Sequence, residues 1–219
     1  PESPADIAAI ETVLRRRLEA LGSADHRVES LGGGRFLVEL PDGADVEAIR
    51  GVLAVTGQAA FVPLGERQVF DGERIDTAGA LFGSEGIADA SVETDQTGRR
   101  VVTIVLAPAA AEAFRAWTAV SIGSILAITV DERVLTAPVV QAEIPGGQVQ
   151  ISQSGVDGWK SDEANRIAAV LSSGPYPVQL TELGGDPGPS PVATEPAGPG
   201  PTFPLVRIRG DLGCDTIMP

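Results

Sequence analysis

Three side chains with useful chemistry occur once each in this sequence: His26, Lys160 and Cys214. A hydrolytic triad or a histidine-based zinc site has to be built around His26. It stands between Asp25 and Arg27 at the start of a strand-like run, which suits a surface turn better than acid–base work. Cys214 has no second cysteine to pair with, so an internal disulfide framework and a cysteine-rich metal site are ruled out. A thiol nucleophile needs a positioned base, and Cys214 lies beyond a Pro/Gly-rich stretch without one. An intermolecular disulfide or an incidental tail thiol is the expectation. Around Lys160, Gly155-Val156-Asp157-Gly158-Trp159-Lys160-Ser161 resembles a phosphate loop only superficially, because Trp159 separates glycine from lysine and the glycine spacing is wrong.

The remaining polar patterns have structural explanations. No Gly-x-Ser-x-Gly elbow occurs. Gly32-Gly33-Gly34 reads as a hairpin turn, since no helix follows to receive an anion. Asp131-Glu132, Asp162-Glu163 and Asp45 with Glu47 fall at turns and helix starts, where a negative charge is favourable. A carboxylate hydrolase or a weak calcium site stays open as an alternative, although Asp71-Gly72-Glu73 lacks the ligand spacing of a calcium loop. Arg15-Arg16-Arg17 is expected on the solvated side of the first helix, with a docking patch as the alternative. Phe114 and Trp117, three apart on one helix, read as core. No catalytic residue, metal site or cofactor is expected.

Composition narrows the partners. The 219 residues carry 16 basic and 30 acidic side chains, a net charge of −14 that repels phosphate backbones and anionic lipid headgroups. Nucleic acid is therefore excluded as a main partner. Hydrophobic residues make up 43%, enough for a packed core, but aromatics only 4%, so that core is aliphatic. The longest apolar run, 119–130, is interrupted by Ser121, Gly123, Ser124 and Thr129 and falls short of the ~20 residues of a spanning helix. A chain starting at Pro1 is expected to be a processed or trimmed piece, with any membrane anchor outside it.

Periodicity then supplies the elements that position these residues. Ser3 and Pro4 open a helix carrying Ile7, Ile10, Leu14, Leu18 and Leu21, and Gly22 ends it. Strands over 27–31 and 35–40 form a hairpin; Asp45 opens a short helix with Val46, Ile49, Val52 and Leu53; a strand follows over 58–64. This α-β-β-α-β order is a ferredoxin-like unit without its first strand, expected over 1–64. A polar connection, 65–86, is the expected joint. Beyond it, strands over 91–94 and 99–106, a helix from Pro108, strands over 125–130, 134–140 and 149–152, a helix capped by Ser161 and ending at Gly174, and a last strand over 178–183 make a second α+β unit, 87–183. From 184 onward the chain turns Pro/Gly-rich, a linker and tail with a β-prone patch at 203–208. The fold class is α+β with antiparallel sheets.

Several of these stretches, in order, resemble the SecD family. Val13-Leu14-Arg15-Arg16-Arg17-Leu18-Glu19-Ala20-Leu21-Gly22, Arg35-Phe36-Leu37-Val38-Glu39-Leu40-Pro41 and Thr56-Gly57-Gln58-Ala59-Ala60-Phe61 are similar to the base of its first periplasmic region. Gly98-Arg99-Arg100-Val101-Val102, Leu126-Ala127-Ile128-Thr129-Val130-Asp131, Arg133 through Gln141 and Ile144-Pro145-Gly146-Gly147-Gln148-Val149-Gln150-Ile151-Ser152 are similar to its head. Where the family usually has Asp-Gly at a hairpin turn, this chain has Asp131-Glu132; after 183 it departs into the Pro/Gly-rich tail.

The resemblance implies a base-plus-head region on the extracytoplasmic face of the bacterial membrane. Such a region engages unfolded polypeptide emerging from the Sec translocase, while the proton gradient acts through membrane helices outside this chain. Unfolded exported polypeptide and Sec subunits are the implied partners, with the membrane reached through a segment absent here. Apolar edges of the head strands would make the contact, and Val139, Val140 and Ile144 are the candidates, with a core role as the alternative. A stand-alone, membrane-anchored binding module of the cell envelope, without a translocation role, is the second reading.

Overall fold

A computed structural model describes residues 3–23, 25–153 and 159–182. Cys214, the Pro/Gly-rich stretch and the glycines before Trp159 lie outside them. The chain divides into two compact units, Pro1–Ala54 with Pro177–Pro219, and Val55–Tyr176.

In the first unit, Ser3 accepts a hydrogen bond from the Ala5 N–H and Pro4 fits the first turn of α1 (Pro4–Ala20), which stops at Gly22 with φ +77°. β1 (Arg27–Gly32) and β2 (Arg35–Glu39) pair antiparallel, with Val28 opposite Val38 and Ser30 opposite Phe36. Gly32, Gly33 and Gly34 all take positive φ in the turn, a run that glycine adopts without a Cβ clash. Asp45 caps α2 (Val46–Leu53) by accepting from the Ala48 N–H at 3.0 Å. Ile10, Leu14, Leu18, Val28, Phe36, Val38 and Val52 are buried between the helices and the hairpin.

Arg17 corrects one expectation. Arg15 and Arg16 are exposed, but Arg17 is fully buried and donates from Nη1 to the Val52 carbonyl at 2.7 Å. The reason is helical geometry: Arg17 stands three and four residues after Leu14 and Val13, on the apolar face.

The second unit opens with β3 (Ala59–Gly65), followed by β4 (Phe82–Gly83), β5 (Ile87–Thr94) and β6 (Arg100–Leu106). Then come α3 (Pro108–Val120), β7 (Ile125–Val130), β8 (Arg133–Thr136), β9 (Gln148–Ile151) and α4 (Ser161–Ser173). Two antiparallel sheets result, in the orders β4-β3-β7-β8 and β5-β6-β9, with α4 against β5 and β6. Phe61 and Phe82 stack with ring centres 4.5 Å apart, and Phe114 of α3 meets both edge-on at 6.2 Å. Three of the unit's aromatics are thus gathered in its core, whereas Phe70 is 77% exposed.

Four further differences from expectation concern boundaries. β3 pairs with β4 and β7, so the first unit ends at Ala54 and the strand expected to complete its ferredoxin-like order serves the other unit. The expected joint, 65–86, is bound into the second unit. Ile75 and Phe82 are buried, and the N–H groups of Gly72, Ile75 and Leu81 donate to Val134, Glu132 and Phe61 at 2.7, 2.9 and 2.8 Å. Residues 178–182 form no strand; Glu182 instead pairs with Arg50 at 3.2 Å. Ser161 is the first residue of α4, and Lys160 is its cap position.

Candidate functional site

The three candidate residues are brought to one place. β8 ends at Thr136, yet the chain stays beside β7: Leu126 N–H donates to the Pro138 carbonyl at 3.0 Å, and Val140 exchanges bonds of 2.9 Å with Gly123 and Ser124. That backbone register turns Val139 outward, 44% exposed, and Val140 inward, 7% exposed. Ile144 is half-buried; its N–H donates to Thr118 Oγ1 at 3.1 Å, and Thr118 is fully buried on α3. An Arg115–Glu143 pair at 3.1 Å closes the same end from the surface.

Val139, Val140 and Ile144 form one wall of a cleft of about 300 Å³. Phe114, Leu126 and Ile128 make its floor, and Gln148, Val149 and Gln150 of β9 its other wall. β9 is an edge strand in the order β5-β6-β9. Leu106 N–H donates to the Gly147 carbonyl at 2.8 Å, which fixes the hydrogen-bonded positions in a register that pairs Ile104 with Val149 and Val102 with Ile151. By antiparallel alternation, the main-chain N–H and C=O of Gln148 and Gln150 then face away from β6. Among the described residues the cleft therefore combines an apolar floor with an open strand edge. Val120 and Ile122, 84% and 63% exposed at the end of α3 and just beyond it, add apolar surface to this part of the unit.

The β9 wall and the floor were not singled out from sequence. Gln148-Val149-Gln150-Ile151 announces a strand by its alternation, but whether a strand lies at an edge depends on pairing with β6, more than forty residues earlier.

Elsewhere polar groups are occupied structurally. His26 Nδ1–H donates to the Ser23 carbonyl. Asp131 accepts from the N–H groups of Thr56, Gly57 and Gln58 at 2.9, 3.0 and 2.9 Å. Asp95, in the β5–β6 turn, is held down to about 2 from 3.8 by the Thr97 hydroxyl, then by the N–H groups of Arg99 and Thr97 and the Arg99 guanidinium. Among the described residues no group of three His, Cys, Asp or Glu side chains converges as metal ligands. A second cavity, in the first unit, measures only about 40 Å³, lined by Leu14, Phe36 and Leu180 among others. It is room for little more than a water molecule.

Antiparallel sheets carrying helices define an α+β protein. Residues 54–178 match the family described as the SecDF P1 head subdomain. The chain belongs to the SecDF family through this subdomain. It is 33% identical over 203 residues to the protein translocase subunit SecDF of Thermus thermophilus, covering 80% of this chain and 27% of that protein. It is 32% identical over 183 residues to the protein translocase subunit SecD of Acidaminococcus fermentans, covering 82% and 40%. The chain thus spans between about a quarter and two fifths of the length of these relatives. A solved structure of SecDF, a membrane component that enhances protein export, aligns with a TM-score of 0.65 at 28% identity over 85% of this chain and 96% of that one. SecDF in its super-membrane-facing form aligns at 0.66 and 29%, over 81% and 27%. Among the described residues no helix is long and apolar enough to cross a membrane.

Proposed function

We propose that this protein is the extracytoplasmic part of a SecD-type translocase subunit, and that its second unit takes hold of extended polypeptide during Sec-dependent export without catalysing a covalent step. One observation carries the reading: among the described residues, the cleft at Val139, Val140 and Ile144 pairs an apolar floor with the β9 edge that faces away from β6. An unfolded chain offers those two features whatever its sequence, namely intermittent apolar side chains and a regular main chain. A protein-export role in the relatives supports the same reading. Sec channel subunits are the expected neighbours, and the membrane is reached through segments of the longer relatives that this chain does not span.

Site-specific photo-crosslinking from Val139 in growing cells, while a secretory protein is being exported, tests the proposal. Crosslinks to the exported chain or to channel subunits are expected. Crosslinks confined to folded envelope proteins, with export unchanged on deletion, would instead make the fold an envelope binding module.

A further inference from the structure

We propose that the cleft selects among extended polypeptides by charge: it takes segments in which a lysine or arginine alternates with an apolar residue, the apolar residue meeting Val149 and the cation meeting Glu93. This rests on the reading that the cleft takes extended polypeptide. Register supplies the alternation. A guest strand on β9 exchanges main-chain bonds with Gln148 and Gln150, whose N–H and C=O groups face away from β6. Guest residues opposite these two share the face that carries the Gln150 side chain. The guest residue between them stands opposite Val149, in a pair without main-chain bonds, where side chains come closest. Val149 is 6% exposed and lines the cleft, so that middle place suits an apolar side chain.

Glu93 sets the charge of the other face. Its Oε2 accepts from Thr103 Oγ1 at 2.8 Å and from Gln150 Nε2 at 3.5 Å, so the carboxylate leans from β5 across β6 toward the residue that receives the guest. Among the described residues no cation pairs with it. A guest strand lies about 4.8 Å beyond β9, and a lysine or arginine side chain is long enough to span what remains. On the opposite wall Glu143, beside Ile144, is already paired with Arg115 at 3.1 Å, which leaves Glu93 to make the distinction. The chain's net charge of −14 favours a cationic guest from a distance and opposes a second copy on the same edge.

The test measures fluorescence anisotropy of labelled octapeptides, alternating Lys–Val or Gln–Val, against the full chain. Lys–Val should bind about fivefold tighter at low salt, the upper worth of one exposed ion pair, and the gap should close near ~1 M salt. Glu93→Gln should bring the two affinities together, whereas Glu132→Gln, at the far end of β7, should leave the preference intact. Register is read separately. N-methylation of the lysines blocks the N–H groups that meet β9 and should abolish binding, while N-methylation of the valines should not. A preference that survives Glu93→Gln, or binding indifferent to which residues are methylated, overturns the inference. If the two peptides bind the unaltered chain alike and methylation still blocks them, the cleft is a polypeptide site and charge selection alone is refuted. If neither peptide binds, both readings fall. A dimer in sedimentation equilibrium that neither peptide dissociates puts a second copy on the edge and also overturns the inference.

Discussion

Asp131 and Glu132 occupy the tight turn between β7 and β8 with φ of +49° and +65°, a region that costs a non-glycine residue ~1 kcal/mol or more. Asp131 offsets its share through the three N–H groups of residues 56–58, whereas the Glu132 side chain makes an exposed ion pair with Arg74 at 3.4 Å, worth little. Asp131→Ala should therefore lower stability by about 2 kcal/mol, and Glu132→Gly should raise it by about 0.5 kcal/mol, both read from urea midpoints. Arg17→Ala removes a buried donor and its stem and should cost about 3 kcal/mol by the same measurement. Asp95 gives a pH prediction. Its carboxyl is lowered in the folded chain, so the stability it contributes is complete above pH 3.8 and is lost as the pH falls toward about 2. Amide shifts of Thr97 and Arg99 should follow that window, and Asp95→Asn should flatten the response.

At the scale of elements, legibility followed locality. α1 and α2 were readable because caps and a 3.6-residue pattern lie within the segment itself, and the β1–β2 hairpin because three glycines mark its turn. β3 was recognisable as a strand, but its partner β7 lies more than sixty residues on, and an apolar run does not state which sheet will take it. The same ignorance hid the β9 wall of the cleft. Segment 65–86 looked like a joint because it is polar and glycine-containing, while its hold comes from main-chain bonds that composition does not reveal. The amides of Gly72, Ile75 and Leu81 should accordingly exchange as slowly as those of β8; fast exchange would restore the joint to that segment. Gly86 is a second element-scale case. A Cβ there would stand 2.4 Å from the Phe82 ring and 3.0 Å from Ala110, so Gly86→Ala should push β4 and α3 apart and cost ~2 kcal/mol by thermal unfolding.

For the whole molecule, the partition makes a direct demand. Val55–Tyr176 is continuous and owns both its sheets and its aromatic cluster, so residues 55–176 expressed alone should unfold cooperatively in urea. A broad, non-cooperative transition would mean that this core is incomplete by itself. The first unit is different in kind, because the chain leaves it after Ala54 and returns at Pro177.

That interruption acquires a meaning in time. During synthesis the helix–hairpin–helix of the first unit is finished early, but the Arg50–Glu182 pair and the Leu180 wall against Phe36 must wait for 122 more residues. At ribosomal speeds this is roughly 6–24 s. Throughout that interval the nascent first unit carries an open flank, and the inserted second unit is the one able to finish folding first.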